Sequence, residues 1–149
     1  MKHFTLFRLA AYLTFLFCAG HTAGGMLAQK SLGPASDLVF FAMKATHFDF
    51  NGADCTWYGF WFGFGLTVSA FLVLVGVTAL VLDRVTPEAW PQVQVLAWAL
   101  IVAMAFNAVI AWRYFFAGPT AFSVIIVALL VAGTIRKGRM RGPVGLRPA

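Results

Sequence analysis

The sequence predicts an all-α polytopic membrane protein: a four-transmembrane-helix antiparallel bundle with an outer loop containing a short interfacial helix. Two observations carry this. Four long apolar runs, at residues 4–26, 58–82, 95–116 and 120–135, fill most of the 149-residue chain. A helix crossing the hydrocarbon core needs about 20 mostly apolar residues, which three of the runs supply. The fourh is shorter but ends in Arg136 and Lys137, whose long stems can reach the headgroups. The second observation is composition: 61% of residues are hydrophobic and 11% charged, with a mean hydropathy of +0.84. A soluble domain carries about 25% charged residues, so too little polar surface is available to coat a water-facing globule.

Residues 1–135 read as one four-helix membrane domain and 136–149 as a basic tail. The first run has a basic start and small residues near its end, as a cleaved signal does. Its apolar stretch exceeds the roughly 7–15 residues of such a signal, so a retained first helix is expected. Leu16 and Phe17 ahead of Cys18 make a poor lipoprotein cleavage site. In the link at 83–94, Pro87 and Pro91 end the second helix and delay the third. A short turn at 117–119 joins the third to the fourth. Trp90 and Trp98 suit one interfacial belt; Trp57, Trp61, Trp112 and Tyr114 suit the other.

Charge placement sets the expected orientation. Lys2, Arg8 and Arg84 fall on the same side as Arg136, Lys137, Arg139, Arg141 and Arg147 when the helix count is even. The positive-inside rule makes that side cytoplasmic, with both termini there, in a bacterial inner membrane. The net charge of +6 is therefore read as a topology signal, with tail contacts to anionic headgroups and no nucleic-acid partner.

The outer loop, 27–57, carries Lys30 and Lys44 against Asp37, Asp49 and Asp54, so it has no basic excess. Ser36 is expected to cap its short helix, with Asp37 at the positive end. Leu38, Val39, Phe40, Phe41 and Met43 supply an apolar surface for the interface or the bundle. Asn51-Gly52 signals a turn.

Small residues mark expected packing faces. Gly20 and Gly24 in the first helix, and Gly59 and Gly63 in the second, each form a Gly-xxx-Gly step, and Gly65 and Ser69 continue the second face. Glycines four apart share a face and admit a neighbouring backbone, so a close antiparallel contact between these helices is expected. His21 is the only histidine inside an apolar run, and an intramembrane polar group needs a partner. Asn107 lies at a similar depth, and Arg113 is placed to meet Asp49 or Asp54. With Thr14 and Cys18 below His21, these residues outline a polar pocket walled by Phe60, Trp61 and Phe64. The plainer alternative is that His21 and Asn107 hydrogen-bond between helices and fix their packing.

Haem is disfavoured for want of a second intramembrane histidine. Cys18, His21, His47 and Cys55 lack the spacing of a metal site, so no metal and no cofactor is expected. Cys18 and Cys55 make no disulfide framework. No carboxylate is expected inside any membrane helix, which argues against an acidic proton or cation relay. Nucleophile–base pairs of a hydrolase are absent as well.

Gly20-His21-Thr22, Phe48-x-Phe50-x-Gly52, Thr56-Trp57, Phe60, Gly63-Phe64-Gly65-Leu66 and Ser69 resemble the pattern of a family of small bacterial four-helix membrane proteins of uncharacterised function. The resemblance covers the first half of the chain and is only distantly DoxX-like. It implies a fold and no mechanism. Members often carry a basic residue where Cys55 stands and an acidic one where Gly59 stands, and this chain departs at both.

Function is expected to be non-enzymatic: binding a lipid or other hydrophobic ligand, or serving as an accessory subunit beside a membrane-protein partner or a second copy. The 16% aromatic content, concentrated near the outer mouth, favours a hydrophobic ligand. Two alternatives are a quinone- or thiol-linked redox enzyme and an oligomeric transporter component.

Overall fold

The computed structural model describes residues 5–28 and 30–140. Five α-helices, one π-helical segment and one hairpin follow in order: α1 (Leu6–Ala19), the π-helix Gly20–Leu27, α2 (Pro34–Ala45), β1 (His47–Phe50), β2 (Ala53–Thr56), α3 (Trp57–Arg84), α4 (Trp90–Tyr114) and α5 (Ala117–Arg139). Four helical stretches, Leu6–Leu27, α3, α4 and α5, are long and apolar enough to cross a membrane. The chain is thus an all-α, multi-pass membrane protein, as its composition requires.

The helices outrun their apolar sequences. Pro91 sits in the first turn of α4, where its missing N–H costs nothing, so it helps start the helix that it was expected to delay. Pro119 likewise lies in the first turn of α5, and the expected turn at 117–119 is helical. Glu88 remains in the link between α3 and α4. A backbone N–H and the Thr86 side chain hold its carboxyl below the ordinary carboxylate range. That small contribution is present at neutral pH and is lost as acid protonates the group.

By contacts the chain forms two compact units, Cys18–Leu72 and Met1–Phe17 with Val73–Ala149. In the larger unit α4 and α5 pack along their lengths. Its core is Phe7, Ala10 and Ala11 of α1, Val75, Ala79 and Leu82 of α3, Trp90, Ala97 and Met104 of α4, and Ile126 and Leu130 of α5. Two glycines allow close approach there. A Cβ at Gly76 would lie 2.5 Å from the Phe15 ring, and one at Gly133 would lie 3.2 Å from the Phe7 ring. The buried Thr14 hydroxyl turns back on its own helix, with Oγ1 donating to Ala10 O at 2.8 Å.

In the smaller unit the loop folds more fully than its sequence suggested. Gly33, at φ +106°, precedes α2, and Pro34 opens the helix, so Ser36 lies within the first turn and is not its cap. Ser31 instead donates to Asp37 at 2.6 Å. No residue of α2 is fully buried; Leu38, Val39 and Phe41 are exposed, as an interfacial helix presents them. Asn51 and Gly52, both at positive φ, make the two-residue turn of an antiparallel hairpin that pairs His47 with Thr56 and Phe50 with Ala53.

The packing faces need one correction. Within their unit, a Cβ at Gly20, Gly24 or Gly63 would meet nothing within 4 Å, and one at Gly59 would meet only the neighbouring Thr56 hydroxyl. Gly65 is the close-approach position, covered by the buried Met26 side chain. The Gly-xxx-Gly steps mark small faces without saying which face a neighbour occupies. Gly76→Leu should therefore lower unfolding stability in detergent by about 1–3 kcal/mol through overpacking. Gly24→Leu should leave it unchanged or slightly raised, since leucine is the better helix former; thermal unfolding of both variants measures the contrast.

Candidate functional site

Around α3 the sequence supplies two small faces. At about 100° per residue, Gly65 and Ser69 fall on one side of the helix, and Gly59, Gly63 and Thr67 fall on the other. The first side receives the π-helix. His21 Nε2 lies 2.9 Å from Gly65 O, Cys18 Sγ donates to Ser69 O at 3.4 Å, and Thr22 and Ser69 share a hydroxyl hydrogen bond of 2.7 Å. The wider π-helical turn carries His21 and Thr22 in this ladder. A neutral His21 must donate from Nε2 to the carbonyl, which leaves Nδ1 as the acceptor. Every polar side chain of the ladder has a backbone or hydroxyl partner, which is interhelical glue.

The other side stays open. A groove of about 560 Å³ runs beside β2 and the first half of α3, lined by Asp54, Cys55, Thr56, Gly59, Phe60, Gly63, Phe64 and Thr67. Its polar end is on β2. Asp54 faces His47, whose Nδ1 lies 2.9 and 3.0 Å from the two carboxylate oxygens. Thr56 Oγ1 accepts the Gly59 N–H at 3.0 Å, so its own O–H remains to donate outward. Its apolar wall is aromatic: Phe60 stacks on Phe48 at 5.7 Å and on Phe64 at 6.1 Å, and meets Phe50 edge-on at 5.6 Å. The floor is helix backbone bared at Gly59 and Gly63, and Thr67 turns its hydroxyl back to Gly63 O at 3.0 Å.

Comparisons with protein-family models, with curated proteins and with solved structures gave no match.

Of the residues expected to form one pocket, Asp54, Phe60 and Phe64 come together here. Trp61 instead packs edge-on against Phe40 of α2 at 5.5 Å. Asp49 accepts the Gly52 N–H at 3.2 Å and shapes the hairpin turn. His21 belongs to the opposite face of α3. In the larger unit Asn107 donates to Ser123 Oγ at 2.9 Å, and the Ser123 hydroxyl donates in turn to Pro119 O. The Arg113 guanidinium lies over the neighbouring Tyr114 ring at 5.6 Å. Thus His21 and Asn107 do hydrogen-bond, each within its own unit. Cys55, Thr56 and Thr67 were missed as groove residues. Recognising Asn51-Gly52 as a hairpin turn, rather than a generic one, would have placed Asp54 and Thr56 on one face of a strand. Cys18 and Cys55 are both free thiols, and no cluster able to hold a metal occurs among the described residues.

A second polar centre lies at the terminal side of the larger unit. Asp83, placed outside the helices by sequence, falls in the last turn of α3 with its side chain only 4% exposed. It accepts from Arg8 Nε at 2.6 Å and from the Thr5 hydroxyl. Lys137 was expected on the lipid surface with Arg136 and Arg139, which are exposed. It is instead buried, with Nζ donating to Leu82 O and, at 3.0 Å, to Asp83 O, over the rings of Phe7 and Trp90. The last carbonyls of α3 need donors that lipid cannot supply, and Lys137 is within reach. Arg141 and Arg147 lie outside the described residues. Replacing Lys137 by Met should cost about 1.5–3 kcal/mol of unfolding free energy, the worth of hydrogen bonds to a charged group. Arg139→Met should change it by less than about 0.5 kcal/mol, and chemical unfolding in mild detergent reads both.

Proposed function

We propose that this protein is a non-enzymatic binder of a membrane amphiphile, held in the groove between β2 and α3. The observation that carries the reading is the groove's polarity: carboxylate and hydroxyl at one end, phenyl walls and bare glycine backbone along the rest. An amphiphile matches both halves at once, with its headgroup against Asp54 and Thr56 and its chain on Gly59 and Gly63. Binding pockets of this kind are mostly apolar, with few orienting polar groups. The ladder on the opposite face of α3 supplies rigid support. The basic residues at the terminal side support an inner-membrane location with both ends cytoplasmic, which puts the groove at the outer leaflet.

A second reading has one observation in its favour. Gly59, Gly63 and Thr67 form an exposed small-residue stripe of the type that pairs membrane helices, so a second copy or a partner subunit would also fit.

A photoactivatable phospholipid, incorporated with the purified chain in nanodiscs, distinguishes these. Labelling should concentrate on the peptide spanning 57–67, and Gly63→Leu should reduce it at least about fivefold by filling the groove. Because a side chain at Gly63 meets open space, the unfolding midpoint should not fall. Labelling spread evenly over all four spans and indifferent to Gly63→Leu overturns the reading. A change from dimer to monomer in the variant, with labelling retained, selects the subunit role.

A further inference from the structure

We infer that the groove selects a zwitterionic phospholipid with an ammonium headgroup, of the ethanolamine type, over an anionic one. This deepens the amphiphile-binding reading and rests on it.

Charge complementarity decides the headgroup. Asp54 is the one charged residue among those that line the groove, and neither lysine nor arginine is present to receive a lone phosphate. The nearby Lys44 is drawn over the Tyr58 ring, 4.7 Å from its centre. Asp54 has a side-chain exposure of 72%, so the contact with His47 leaves its oxygens accessible to a second donor. An alkylammonium can bind those oxygens while its methylenes lie along the aromatic wall of Phe60 and Phe64. Asp54 and Thr56 are two residues apart on one strand, hence on one face and about 7 Å apart along it. The Thr56 O–H is thus placed for a phosphate oxygen while Asp54 holds the ammonium. An anionic glycerol headgroup would bring its phosphate to the same carboxylate without compensation.

Titration of the full chain in non-ionic detergent, read by native mass spectrometry, tests this with phosphatidylethanolamine and phosphatidylglycerol of identical acyl chains. The ethanolamine lipid should bind about tenfold more tightly, the ratio that one charge-assisted hydrogen bond supports. Asp54→Asn should erase that preference by weakening the ethanolamine lipid alone. His47→Ala, which removes the hairpin's histidine–carboxylate contact but keeps the carboxylate, should retain it. Equal affinities in the unaltered protein, an undiminished preference in Asp54→Asn, or loss of preference in His47→Ala each overturn the headgroup assignment. Failure of the underlying reading has a separate signature, in which Gly63→Leu leaves the binding of both lipids intact.

Discussion

Satisfying the buried end of α3 is the constraint on which the larger unit depends. In lipid, helices gain no hydrophobic drive toward one another, so packing and polar contacts must hold them. Lys137 reaches from α5 to the carbonyls of Leu82 and Asp83, while Asp83 gathers Thr5 and Arg8 from the start of the first span. Phe7 of α1 and Trp90 of α4 close over the ammonium, with their rings 5.7 Å apart. Four helices thus meet at one charge-compensated knot. A buried ion pair is a poor source of net stability but a strong source of register, because any slip leaves a charge without its partner. Trp90 Nε1 and Thr134 Oγ1 nearby are buried without a hydrogen-bond partner among the described residues.

The same physics explains why the groove lies where it does. A helix with small residues on only one face would have spent them on its neighbour. α3 carries them on two faces, and the π-helix covers the one bearing Gly65 and Ser69 with Met26 and the polar ladder. Gly59 and Gly63 keep the backbone bare on the other, and the hairpin sets Asp54 and Thr56 at its head. The aromatic cluster centred on Phe60 ties β1 to α3, so the groove wall is also the hairpin's packing surface.

Much of the fold was legible because membrane spans are written in composition. Apolar runs gave the four spans, and Asp37 followed by the apolar residues Leu38, Val39, Phe40, Phe41 and Met43 gave the short helix of the loop. Asn51-Gly52 gave its turn because both positions accept positive φ. What the sequence hid depends on partners. A small-residue face looks the same whether a neighbour fills it, as at Gly65, or leaves it open, as at Gly63. Lys137 stands in a run of basic residues, and only the position of α3 separates it from Arg136 and Arg139. Asp83 was read as a loop residue because charge normally ends an apolar run. The helix continues through it because Arg8, Thr5 and Lys137 compensate the burial.

The inward turn of Lys137 bears on the proposed orientation without weakening it. Topology is selected while the helices insert, before α5 packs, so a lysine later buried still counts on the side where it was synthesised. Under that proposed orientation Arg8 serves twice in the same way, first as a topological charge and then as the partner of Asp83. The cost is that fewer cations remain to meet anionic lipid at that surface, which leaves Arg84, Arg136 and Arg139 among the described residues. In the smaller unit Asp37, Asp49 and Asp54 stand against two lysines, one of them held over Tyr58. Under the proposed topology, the groove's acidic mouth therefore meets the outer leaflet, where an ammonium headgroup is the complementary charge.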